Sequence, residues 1–264
     1  MRSSEAKKEF MKIMRQFHRH QPWRVFSDFC EMSALSLLNV LPRCEQIEQQ
    51  YLKVAGGYEK EEIEYFPKLL SLVVEALEHE YRDFLGEVFQ DLELSNHWKG
   101  QYFTPFDVCK AIARMNLDFM KETIESKGFV TVMEPACGAG AMIIGLCEAL
   151  YDAEINYQEH VHVFAVDVDP TAAYMCYIQL TLLHVPAIVY VGNSLSLEMR
   201  KELPTFAHHC GFWGNKIRRG HLLGYEPDSD DRPEIETIKR TELPIKADVI
   251  LEPVQLDLFK EETA

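Results

Sequence analysis

Apolar residues in the first hundred positions recur at helical intervals. Residues 23–41 carry apolar side chains around a helix that should end near Pro42. The series Leu70, Val73, Leu77, Tyr81, Phe84, Val88, Leu92 steps by three and four. That spacing predicts one face of a single long helix, stopping near Asn96 and Gly100. From residue 129 the period changes. Residues 129–133 form a short β-branched run, followed by a glycine-rich turn and a helical stretch at 141–150. Residues 162–166 and 187–191 read as two more strands, with a helix over 172–183 between them. Strands alternating with helices predict a parallel sheet with right-handed crossovers.

After about residue 224 the pattern dissolves. Residues 225–246 are rich in Asp, Glu, Arg and Pro, which predicts a solvated linker. One more apolar run, 247–251, precedes the tail. The expected organisation is therefore a helical region (1–99), an α/β Rossmann-like domain (100–224), an acidic linker (225–246) and a C-terminal strand and tail (247–264). No internal repeat is visible.

Composition narrows the partners. The 264 residues are 47% hydrophobic, enough for a real core, and no uncharged apolar run is long enough to span a membrane. The charged start does not resemble a signal peptide. The seven cysteines include no CxxC pair, which suits reduced thiols in a cytoplasmic protein and disfavours a structural zinc site. A net charge of −15 counts against nucleic-acid binding by bulk charge. It leaves room for a local basic face, best represented by Lys216, Arg218 and Arg219, which read equally as a solvated loop.

The chemistry concentrates at the expected strand ends. Glu134-Pro135-Ala136-Cys137-Gly138-Ala139-Gly140 follows one strand and opens a helix. Its glycines permit positive φ and close approach of a ligand, and such sheets bind ligands at the carboxyl ends of their strands. The turn is not GxGxxG, and it carries a carboxylate. It therefore suits a ligand with an ammonium and a sulfonium, S-adenosylmethionine, better than a pyrophosphate, and reads otherwise as an ordinary glycine-rich connection. Asp167 ends the second strand, where an acid accepts ribose hydroxyls; Asp169 before Pro170 reads as a helix N-cap. Asn193 ends the third strand, as an acceptor for an adenine amine or as a turn residue.

Together with Gly100-Gln101-Tyr102-Phe103-Thr104-Pro105, these segments occur in the order seen in the adenine-N6 DNA methyltransferases of the type I restriction–modification class, which the chain resembles over roughly residues 82–197. Asp83-Phe84-Leu85-Gly86-Glu87-Val88-Phe89 is similar to that family's helical lead-in. The chain resembles, more narrowly, short N-6 DNA methylase-like proteins of plasmids and prophages. The resemblance implies DNA as partner and S-adenosylmethionine as cofactor. It implies contacts to that cofactor from Phe103, Thr104, Glu134, Pro135, Ala136, Cys137, Gly138 and Gly140. Asp167 would take the ribose, and Asn193, where the family usually has Asp, would lie near the adenine.

The family's catalytic (Asn/Asp)-Pro-Pro-aromatic motif, which holds the flipped adenine, is absent. The closest approximation is the 247–251 run followed by Glu252-Pro253-Val254. The substitute candidates are Phe206, His208, His209, Phe212 and Trp213, offering stacking surfaces and proton transfer, or else a packed aromatic loop. The open alternative is a catalytically degenerate module that binds S-adenosylmethionine or a partner. Gln255, Leu256, Asp257, Leu258 and Phe259 resemble the pentapeptide that binds the DNA polymerase sliding clamp, and read otherwise as an amphipathic end strand.

Overall fold

A computed structural model of the chain describes residues 3–40, 43–93 and 104–220. Among these residues, eight helices precede the sheet. They are α1 (Ser3–Met14), α2 (Pro22–Leu38), α3 (Glu45–Ala55), α4 (Lys60–Ile63), α5 (Tyr65–His79), α6 (Phe84–Glu93), α7 (Phe106–Met115) and α8 (Leu117–Lys127). The sheet region then runs β1 (Val130–Glu134), α9 (Ala141–Asp152), α10 (Tyr157–His160), β2 (Val161–Asp167), α11 (Pro170–Leu182), β3 (Ala187–Asn193) and β4 (Glu198–Pro204). Two short helices follow, α12 (Phe206–Cys210) and α13 (Trp213–Arg219).

The expected long helix is two helices. The chain leaves helical geometry at Glu80, whose backbone is extended (φ −158°, ψ 147°). It restarts at Asp83, which caps α6: the Gly86 N–H donates to its side chain at 2.9 Å and the Glu87 N–H to its carbonyl at 3.0 Å. The apolar spacing runs through the break because both helices present their stripes to one core. Leu77, Phe84, Leu85 and Val88 are all buried.

The strand order is β1-β2-β3-β4. The first three strands are parallel, with Glu134 beside Ala165 and Asp167 beside Val191, so their carboxyl ends lie together. The expectation of a parallel sheet fails at β4, which runs antiparallel to β3. This strand, Glu-Met-Arg-Lys-Glu-Leu-Pro, buries only Leu203 and so offers no apolar run to read.

The helical region and the sheet share one core. Phe10, Phe26, Phe29 and Phe84 are fully buried and pack edge to face, with Phe10 central. Each such ring contributes about 2–3 kcal/mol by leaving water. Helix α11 is buried on every side from Thr171 to Thr181, sandwiched between the sheet and α2. Where α2 meets its first turn, the Ser27 and Thr171 hydroxyls hydrogen-bond at 2.9 Å.

Candidate functional site

The turn after β1 begins where the strand's last residue, Glu134, meets the surface. The Ala136 N–H donates to the Glu134 carboxylate at 3.2 Å. Cys137 turns inward, and its N–H donates to Val166 O at 2.9 Å, tying the turn to β2. Gly138 (φ +52°) and Gly140 (φ +98°) both lie in the left-handed region. A side chain on Gly140 would also stand 3.1 Å from Cys176 Sγ. Glycine is therefore favoured there by conformation, and the nearby sulfur makes the fit of any larger residue tight.

Asp167 organises the turn from the end of β2. Its Oδ2 accepts from the Gly138 N–H at 2.8 Å and its Oδ1 from the Asp169 N–H at 2.9 Å. Asp169 caps α11 by accepting from Thr171 N–H, with Pro170 in the first turn, as the sequence predicts. Glu134 and Asp167 thus sit close together. Burial raises the Glu134 carboxyl above its ordinary range and the Asp167 charge adds to this, against the Ala136 N–H. A cation placed between the two would relieve that repulsion. Two carboxylates beside a turn with two positive-φ glycines fit a ligand carrying an ammonium, a sulfonium and a ribose.

The other expected contacts are distributed unevenly. Pro135 and Ala136 are exposed on the turn, as is Thr104, just before α7. Phe103 lies outside the described residues, as do residues 247–251, Glu252, Pro253 and the tail residues Gln255, Leu256, Asp257, Leu258 and Phe259. Asn193 reaches the carboxyl end of β3, but its side-chain oxygen accepts from the Leu195 and Ser196 N–H groups at 2.9 and 3.3 Å. The oxygen expected to meet an adenine amine closes the β3–β4 turn instead.

The aromatic segment is at the wrong end of the sheet for base binding. Because β4 returns antiparallel, Pro204 pairs with Ile188 and the Thr205 N–H donates to Ala187 O, at the amino end of β3. Phe206 lines a cleft with Leu37, Val74 and Leu182, and Phe212 is exposed with φ +53°. Trp213 is fully buried, edge-on to Phe129 at 5.5 Å. His208 hydrogen-bonds His162 Nε2 through Nδ1 at 2.8 Å, and His209 packs edge-on to His208. A cofactor at the carboxyl ends lies across the strands from all five.

That histidine pair has a consequence for stability. Burial pushes His162 down to about 3, with neighbouring His208 adding to it, and burial likewise pushes His208 down to about 4. Both are neutral in the fold at pH 7. As pH falls below the ordinary value near 6.5, the unfolded chain takes up protons that the fold refuses, so stability is lost until pH reaches the folded values. For fully buried His162 this amounts to about 2 kcal/mol between pH 7 and 5. Urea unfolding at the two pH values should show that loss shrinking in His162→Gln; an identical loss would rule the pair out.

Sequence reasoning missed Gln179, whose amide holds the turn from beneath by donating to Ala139 O at 2.8 Å. A glutamine inside an otherwise apolar helix was the available signal.

The N-6 DNA methylase family profile matches residues 80–207, from just before the α6 cap into α12. No curated protein is similar enough to match the chain. A Listeria monocytogenes protein assigned to the class I S-adenosylmethionine-dependent methyltransferases is a structural neighbour at 16% identity. The alignment covers 81% of this chain and 70% of that one, with a TM-score of 0.37. Residues 80–207, which span the glycine turn and the three parallel strands, are therefore similar to the N-6 DNA methylase family.

Proposed function

We propose that the protein binds S-adenosylmethionine at the carboxyl ends of β1 to β3 and transfers its methyl group to the N6 amine of adenine in DNA. The observation that carries this is the pairing of Glu134 and Asp167 around a turn whose glycines leave backbone open to a ligand. Glu134 would hold the ammonium, Asp167 the ribose hydroxyls, and Gly138 and Gly140 would let the ligand lie against the main chain. Thr104, just before α7, would close it from that side, and Phe103 would add a further contact. The cofactor supplies an already activated methyl, so the protein's part is positioning. The attacking amine loses a proton to water as the C–N bond forms and the C–S bond breaks.

A second reading is favoured by the absent (Asn/Asp)-Pro-Pro-aromatic motif and by the distance of the aromatic segment from the turn. In that reading the protein is a binding module that holds S-adenosylmethionine without transferring its methyl. Gln255, Leu256, Asp257, Leu258 and Phe259 would bring it to DNA through the sliding clamp. In either case the expected setting is the cytoplasm, with residues 1–99 as a helical region and 225–246 as a linker. Among the described residues no helix is long and apolar enough to cross a membrane.

One experiment separates the readings. Tritiated methyl from S-adenosylmethionine should enter adenine-containing DNA, and Gly138→Asp should reduce incorporation at least about 100-fold by setting a third carboxylate against the first two. Saturable S-adenosylmethionine binding with no incorporation on any DNA would select the binding module. Neither binding nor incorporation would sink both.

A further inference from the structure

We infer that Asp83 and Gln179 are positioning residues of the cofactor turn, through which the N-terminal helices set how tightly the ligand is held. The inference rests on the S-adenosylmethionine reading for the ligand's identity, but not for the network itself.

Gln179 lies in the middle of α11 and is fully buried. Its Nε2 donates to Ala139 O and to Asp83 Oδ1, both at 2.8 Å, and its Oε1 accepts from the Leu85 N–H at 3.1 Å. Both amide hydrogens and the carbonyl oxygen are therefore used. The surroundings also fix which way the amide faces. Turned over, it would set Oε1 against two acceptors, Asp83 Oδ1 and Ala139 O, and NH2 against the Leu85 N–H. Asp83 and Leu85 therefore orient the group that holds Ala139.

Asp83 is held just as closely. It is buried, and its Oδ1 also accepts from the Gly86 N–H at 2.9 Å. A side chain on Gly86 would come within 2.0 Å of Asp83 Oδ2, so the Asp-x-x-Gly spacing makes room for the carboxylate. Burial pushes that carboxyl up to about 6, against the hydrogen bonds from Gln179 and Gly86 and the Arg82 charge; Glu87 raises it further.

The relay ends at the ligand side of the sheet. Ala139 stands between the two positive-φ glycines. On one side the Gly138 N–H is fixed from above by Asp167. On the other, the Ala139 carbonyl is fixed from below by Gln179. Removing the lower tether leaves the peptide between Ala139 and Gly140 held from its N–H side, where Gly140 donates to Cys137 O at 2.8 Å, but not from its carbonyl side, and a turn less firmly ordered before binding holds its ligand less well. The family match starts at residue 80, so it contains both ends of the relay.

The test uses the full chain. Gln179→Leu and Asp83→Ala each leave a buried group without its partner, and each should weaken S-adenosylmethionine binding about tenfold or more by calorimetry. Asp83→Asn, which keeps an acceptor oxygen toward Gln179 and Gly86, should stay within about threefold of wild type. Leu69→Ala, a core truncation in α5, supplies a control that lowers Tm without touching the relay; its affinity should be unchanged. Hydrogen exchange of the ligand-free protein gives a readout independent of the cofactor. Amides of residues 136–141 should exchange faster in Gln179→Leu than in wild type while those of β2 and β3 do not. Unchanged exchange in the turn would overturn the inference, as would affinity losses matched by Leu69→Ala. If wild type itself fails to bind S-adenosylmethionine, the cofactor reading falls and the exchange result alone decides the relay.

Discussion

Asp167→Ala should lower S-adenosylmethionine affinity by a factor of about 100 or more while leaving the fold intact. The carboxylate already accepts two backbone N–H groups, from Gly138 and Asp169. Each of its oxygens keeps a further lone pair. In the proposed complex those lone pairs take the two ribose hydroxyls, and hydrogen bonds to a charged group contribute about 1.5–3 kcal/mol each. Losing both removes roughly 3–6 kcal/mol, or about two to four orders of magnitude in Kd. The turn loses its upper tether at the same time. Asp167→Asn should fall between, since its NH2 must face one of the two backbone donors. The neighbouring carboxylate gives an internal check, because the Asp167 charge is one cause of the raised Glu134 pKa. Titration of Glu134 should therefore move toward its ordinary value in Asp167→Ala. Calorimetry showing Kd within about threefold of wild type, with that titration moved, would remove the ribose role.

The strand ends were readable because their chemistry is local. Glu134, the two glycines and Asp167 each sit at a junction where an apolar run stops, and Asp169 before Pro170 announces a cap by residue type alone. What escaped was non-local or polar. The break between α5 and α6 is invisible to a count of apolar spacing, since both helices feed one core in the same phase. Strand β4 escaped because an exposed edge strand needs no apolar alternation. Its direction then decided where residues after 204 fall, and with it the fate of every candidate in the aromatic segment. Gln179 escaped for a different reason. Its importance comes from three partners, Asp83, Leu85 and Ala139, that are distant in sequence. The Asp83–Phe89 stretch stands out in the sequence as a motif, yet its physical purpose, capping one helix and orienting an amide in another, is visible only in the packed structure.

Trp213→Ala tests that relocation most sharply, and it should cost about 3–5 kcal/mol of stability. The indole is fully buried at the amino end of the sheet, in contact with Phe129 and His162, with the Lys216 ammonium 4.2 Å from its ring centre. Gly211 packs so closely that a side chain there would come within 2.6 Å of the ring. Truncation would open a void that neighbouring rings, pinned by the His162–His208 hydrogen bond, cannot readily fill. For a protein of this size the loss corresponds to a fall in Tm on the order of 10 °C. Affinity for S-adenosylmethionine, measured well below the new Tm, should be unchanged, because the tryptophan's ring neighbours Phe129 and His162 lie at the amino ends of β1 and β2, opposite the glycine turn. Had the segment served as the base-stacking surface, the opposite pattern would follow: methyl transfer lost with Tm nearly intact. The same comparison made with exposed Phe212 should move neither quantity much, so the two aromatics, one residue apart, separate a structural anchor from a solvent-facing ring.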